Sequence, residues 1–111
     1  MSDATYTQLF ATIKGRKRAK TEQSYTAQLF AAGVPKIAKK LSEETAETVI
    51  EAVRGDKARL REESADLLYH LFVLWAATGI TPEQVARILQ RRMAQSGLKE
   101  KASRKTKPAA R

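Results

Sequence analysis

Apolar residues recur along this chain at three- and four-residue steps, and no stretch alternates apolar with polar residues as a strand would. Leu9, Phe10 and Ile13 mark one face of a first helix that starts at Asp3 or Thr5 and runs to about Lys14, where Gly15 ends it. Arg16 to Gln23 reads as a polar, basic loop. Ser24 is a good N-cap for a short helix from Tyr25 to Ala32, closed by Gly33, with Leu29 and Phe30 as its apolar contacts. Pro35 suits the first turn of a helix to about Arg54, for which Ile37, Leu41, Val49, Ile50 and Val53 supply core contacts. Gly55 then caps in a left-handed conformation, and Asp56 starts the longest helix, to about Thr78. Its Leu60, Leu67, Leu68, Leu71, Phe72, Leu74 and Trp75 cover more than one face. Thr81, Pro82 and Gln84 form an N-cap, a first-turn proline and a capping-box partner for a last helix to about Ala94, with Val85, Ile88 and Leu89 facing inward. The pattern predicts an all-α fold of four to five helices in an antiparallel bundle. The expected domain spans residues 1–97, Gly97 ends its ordered part, and a basic tail over 98–111 lacks periodicity and is expected to be disordered.

The polar positions carry a second pattern. Glu44 and Glu47 lie three residues apart, as do Glu63 and Asp66, so each pair shares a helix face. Glu47 stands eight residues before Gly55 and Glu63 eight after; Glu44 stands eleven before and Asp66 eleven after. In an antiparallel hairpin Glu47 faces Glu63 and Glu44 faces Asp66. Four acids on one spot repel one another unless a cation sits among them. Oxygen-only ligands in a chain with no cysteine suit Mg²⁺ or Mn²⁺ better than zinc. Such ions commonly carry phosphates, so the cluster points to metal-assisted phosphate chemistry. The plainer reading is a solvated helix face with ordinary salt bridges, which two pairs set symmetrically about a turn make less apt. Lys36, Lys39 and Lys40 read as salt-bridge partners one turn from Glu43 and Glu44, or as groups that neutralise a substrate's phosphates. Arg16 belongs to a segment that is either a solvated connector or a phosphate contact. His70, four residues beyond Asp66, reads by default as a packed, hydrogen-bonded histidine.

These residues resemble a known family. Glu44-x-x-Glu47 and Glu63-x-x-Asp66 are similar to the metal motif of the MazG-like all-α nucleotide pyrophosphatases. Ser24-Tyr25-Thr26-Ala27-x-Leu29, Lys36-Ile37-Ala38-x-Lys40, Glu43-Glu44 and Ser64-Ala65-Asp66-Leu67-Leu68-Tyr69-His70-Leu71 narrow the resemblance to the phosphoribosyl-ATP pyrophosphatases, over roughly residues 6 to 93. It implies Mg²⁺-dependent hydrolysis of phosphoribosyl-ATP to phosphoribosyl-AMP and pyrophosphate, the second step of histidine biosynthesis, in a homodimer. It implies metal binding by Glu44, Glu47, Glu63 and Asp66, with Glu43 or Glu47 as general base. Substrate contacts fall to Ser24, Tyr25 and Thr26, to Lys40, which matches the motif best, and to Lys36, Arg16 and His70. Ser42 and Thr21 depart from the family's usual glycine and proline; neither removes a carboxylate.

Composition changes the picture in two ways. The chain has 111 residues, 42% of them hydrophobic, enough for a modest helical core, and a small helical chain often completes its buried surface with a second copy. Its net charge of +9 is not spread evenly. Residues 14–20 hold five bases and no acid, and residues 99–111 hold six bases and one acid, whereas residues 21–98 balance ten against ten. The excess therefore lies in one loop and one tail, and the tail fits a solubilising or weakly polyanion-binding extension better than a specific nucleic-acid reader. Two other functions remain open here: a housecleaning nucleoside triphosphate pyrophosphatase with the same acids, and a basic helical nucleic-acid module. With no basic-then-apolar leader and no apolar run long enough for a bilayer, a cytoplasmic location is expected.

Overall fold

The computed structural model describes residues 3–95, and among these residues the secondary structure is helical, with no strand. Its α-helices are α1 (Asp3–Gly15), α2 (Tyr25–Ala32), α3 (Val34–Arg54), α4 (Lys57–Thr78) and α5 (Pro82–Met93). The predicted boundary at Gly97 and the basic tail lie outside the described residues. Among them no helix is long and apolar enough to cross a membrane.

The segment expected to be a loop is more ordered than its composition suggests, with 3₁₀ turns at Arg16–Arg18 and Thr21–Gln23. Short 3₁₀ turns satisfy backbone groups locally with no demand on side chains, so a polar basic stretch can adopt them. Helix ends follow the predicted caps. Ser24 Oγ accepts from the Ala27 amide at 3.1 Å, Asp56 Oδ1 from Arg59 at 3.0 Å, and Thr81 with Gln84 closes a full capping box. Gly55 is left-handed, with φ 80° and ψ 15°, and the amides of Gly55 and Asp56 both return to the Glu51 carbonyl. That reversal turns α3 back onto α4.

The chain forms two compact units, one ending at Ile80 and one beginning at Thr81. In the first, α3 and α4 form the dominant pair. Glu51 meets Arg59 and Thr48 meets the Glu63 carbonyl, so contacts widen in sequence with distance from Gly55, as an antiparallel hairpin requires. The core sits where α1, α2 and the start of α3 meet the C-terminal half of α4. It comprises Ile13, Leu29, Ile37, Phe72, Val73 and Ala76, walled by Tyr6, Phe10, Phe30 and Trp75. Phe72 takes edge contacts from Tyr6 and Phe10 and stacks on Trp75 at 5.0 Å.

The expectation for α3 needs correction. Ile37 is fully buried, but Val49, Ile50 and Val53 are 56%, 52% and 82% exposed. Periodicity places them on one apolar stripe; no element of the first unit covers that stripe. Likewise Ile88 and Leu89 of α5 are exposed and Val85 is half-buried, because the described part of the second unit is a single helix.

Candidate active site

The hairpin carries the carboxylates where the spacing placed them. Glu44 projects from α3, Glu63 and Asp66 from α4, and one carboxylate oxygen from each lies within 4.8 Å of the others. Glu44 and Glu63 are half-buried and Asp66 is exposed. Glu63 Oε1 is shut off from solvent with no hydrogen-bond partner. Burial, before anything else, raises the Glu63 pKa, and the Glu47 carboxyl, close enough to share a proton, raises it further, as do Asp66 and Glu44. Glu44 is raised too, by burial and then by Glu47 and Asp66, against opposing pulls from His70 and Lys40. Glu47 thus adjoins the cluster through Glu63 and is itself exposed. Three oxygen donors from two helices, two of them half-buried, fit a hard divalent cation such as Mg²⁺ or Mn²⁺.

Glu43, the other predicted base, points elsewhere. It pairs with Lys40 at 3.2 Å, and that hydrogen bond and charge, with Lys39 and Lys36 behind them, hold its carboxyl below the usual range. Lys40 is raised in turn, by Glu43 first and then by Tyr25 and Glu44. Both the salt-bridge role and proximity to the acids are therefore present in this one lysine. Lys36 and Lys40 line a groove with Tyr25, Gln28, Leu29 and Ala32.

His70 is buried and links the acids to that groove. A carbonyl can only accept, so Nδ1 carries the proton donated to the Asp66 carbonyl at 2.8 Å, and in the neutral ring Nε2 accepts from the Tyr25 hydroxyl at 3.3 Å. The plain reading of a packed, hydrogen-bonded histidine holds, with a partner from another helix that spacing could not reveal. Tyr25 also stacks on Tyr69, 6.3 Å between centroids, while the Tyr69 and Thr26 hydroxyls hydrogen-bond each other. Burial raises the Tyr69 phenol, against Thr26 and the nearby Arg16 guanidinium, which lower it. The charge of Arg16 is felt at Tyr69, whereas Ser24 is occupied as the cap of α2.

Two residues escaped the sequence reading of the site. Tyr69, three residues beyond Asp66, completes the wall. Glu51, only 7% exposed, accepts from Arg59 Nε at 3.4 Å and stands 3.9 Å from Arg54. Glu51 lies four residues before Gly55 and Arg59 four after, so the arithmetic that found the acids also finds this clasp.

A pH dependence follows. Glu44 and Glu63 hold protons more tightly folded than unfolded, where a glutamate titrates near 4.5. The metal-free protein is therefore least stable above their raised values and gains stability as pH falls through them. Glu43, held low, stays ionised over that interval. We expect the thermal midpoint of the metal-free protein to rise as pH is lowered from neutrality towards the ordinary glutamate range, and the gain on adding Mg²⁺ to shrink as it does so. Calorimetry with and without the ion reads both.

Comparison with known proteins bears on the same residues. A family profile described as Phosphoribosyl-ATP pyrophosphohydrolase matches residues 6–93. A phosphoribosyl-ATP pyrophosphatase from Azospirillum brasilense is 55% identical over 106 residues, 96% of this chain and 96% of that protein. Proteins of the same name from Rhizobium rhizogenes and Cereibacter sphaeroides are 52% and 50% identical, over 94% and 86% of this chain and 100% and 93% of theirs.

Proposed function

The chain belongs to the phosphoribosyl-ATP pyrophosphohydrolase family, and we propose that it works with a Mg²⁺ ion, held by Glu44, Glu63 and Asp66. The enzyme hydrolyses phosphoribosyl-ATP to phosphoribosyl-AMP and pyrophosphate, a step of histidine biosynthesis. The observation that supports the metal assignment is the convergence of three carboxylate oxygens, one each from Glu44, Glu63 and Asp66 on two helices, within 4.8 Å of one another. Mn²⁺ has the same charge and ligand preference and is expected to substitute.

A cation held by Glu44, Glu63 and Asp66 would supply Lewis-acid polarisation of the phosphate oxygens and offset the charge that develops as the anhydride breaks. The chain's own groups do the rest. Glu47, exposed beside Glu63, takes the proton from the water that adds to phosphorus, while the bridging P–O bond of the α–β anhydride breaks and pyrophosphate leaves. Glu43 is set against this role by its ion pair with Lys40, which stabilises its ionised form. Lys36, Lys40 and Arg16 supply positive charge for the phosphates, and Tyr25, Thr26 and His70 form the wall that orients the substrate. Ser24 contributes by fixing the start of α2, which presents Tyr25 and Thr26.

Initial rates of pyrophosphate release test this, on phosphoribosyl-ATP against ATP and other nucleoside triphosphates, with Mg²⁺ and with chelator. Release from phosphoribosyl-ATP alone, abolished by chelator, is expected. Comparable release from the panel would point to a housecleaning enzyme, and release unaffected by chelator would contradict the metal assignment.

The uncovered stripe of Val49, Ile50 and Val53 supports a homodimer, since apolar residues this exposed on a helix that carries the site call for a cover. Sedimentation is expected to give twice the chain mass, and Ile50→Lys with Val53→Lys to give the single-chain mass. A double variant that sediments as the unaltered protein does would remove this stripe from the interface.

A further inference from the structure

Three threonines bond back along their own helices. Thr45 Oγ1 donates to the Leu41 carbonyl at 2.9 Å, Thr48 to Glu44 at 2.8 Å and Thr78 to Leu74 at 2.8 Å. Such bonds are a local habit of helical threonine and ordinarily carry no wider consequence. Thr48 differs in reaching a second helix: the Glu63 carbonyl of α4 lies 3.3 Å from the same hydroxyl. A hydroxyl has one hydrogen, so it is shared between two carbonyls, one on each arm of the hairpin.

Those carbonyls belong to Glu44 and Glu63, whose carboxylates meet in the acid cluster with Asp66. At this level the facing side chains are acids that repel one another, and they hold nothing together by themselves. Towards Gly55, the next polar link across the hairpin is Arg59 to Glu51. Thr48 is thus a neutral tie between the two backbones at the turns from which the charged groups project. Thr45, one turn nearer the start of α3, is exposed and has only its local bond.

We propose that Thr48 is a positioning residue for the cation site: its shared hydroxyl hydrogen fixes the separation and register of α3 and α4 at Glu44 and Glu63, so that their carboxylates are set for the ion before it arrives. This rests on the cation reading of the cluster given above. Holding repelling ligands at the binding geometry reduces the reorganisation that binding must otherwise drive, and groups behind metal ligands commonly change affinity by about ten- to a hundredfold.

The test is Mn²⁺ binding to the full chain without substrate, followed by the electron paramagnetic resonance signal of the free ion. Thr48→Val keeps the shape and removes the hydroxyl; Thr48→Ser keeps the hydroxyl; Thr45→Val removes a back-bonding hydroxyl from the same helix. Thr48→Val is expected to weaken Mn²⁺ binding about tenfold, Thr48→Ser to stay within a factor of about three, and Thr45→Val to leave it unchanged. At saturating Mg²⁺, Thr48→Val is expected to recover most of its kcat, because the ligands themselves are intact. Should Thr48→Val not fold, Thr48→Ala carries the same expectation. Affinity in Thr48→Val equal to that of the unaltered chain, or an equal loss in Thr45→Val, overturns the inference alone. Absence of Mn²⁺ binding by the unaltered chain overturns the inference together with the cation reading.

Discussion

Replacing Glu63 by Gln lowers kcat/KM for phosphoribosyl-ATP about a thousandfold and, in the metal-free protein, raises the thermal midpoint. The two effects have one cause. Glu63 is pushed to a raised pKa by its own burial and by Glu47, Asp66 and Glu44 around it, so the folded chain carries repulsion that a neutral amide relieves. On the proposed metal reading, the same negative charge attracts the ion, and its loss removes one of three carboxylate ligands. Function and stability therefore move in opposite directions, as at other sites where like charges are gathered for a ligand. Asp66→Asn is expected to show the same activity loss. A Glu63→Gln protein that loses activity and also melts lower without metal would mean that the residue is structural, and would count against the cluster as a cation site.

Ile37→Ala has the largest expected effect on stability, about 3 kcal/mol lost, a large part of the roughly 5–15 kcal/mol typical of a domain. Ile37 is fully buried and joins Leu29 of α2 to Phe72 and Val73 of α4, so truncation leaves a cavity where three helices meet. Val53→Ala, on the uncovered stripe, is expected to change the stability of the isolated chain by about 0.5 kcal/mol or less. Urea midpoints measured at a protein concentration low enough to keep the chain single separate the two, provided the slope of the transition is unchanged. Equal effects would mean that Val53 is as well covered as Ile37 in the single chain, against its 82% exposure.

The contrast between Ile37 and Val53 also shows what the sequence could convey. Both belong to one helix and both read as apolar positions at helical spacing, yet one is buried and the other 82% exposed. Periodicity identifies the apolar face of a helix; what covers it depends on how far neighbouring elements reach, and on other chains. The caps at Ser24, Asp56 and Thr81 and the reversal at Gly55 were legible because local hydrogen bonds decide them. The meeting of Glu44 with Asp66 and of Glu47 with Glu63 was legible for the same reason, since a tight turn between straight helices fixes what faces what. Tyr25 against His70 was not: the two are 45 residues apart, and only packing of α2 on α4 joins them. The 3₁₀ turns between α1 and α2 escaped because so short a structure leaves no periodic trace.

The most direct measurement is the location of Mn²⁺ by anomalous scattering from crystals of the protein grown with that ion. An anomalous peak enclosed by the carboxylates of Glu44, Glu63 and Asp66 is expected, with the buried Glu63 Oε1 among its ligands. A peak at other residues, with this cluster empty in the same crystals, would contradict the metal assignment.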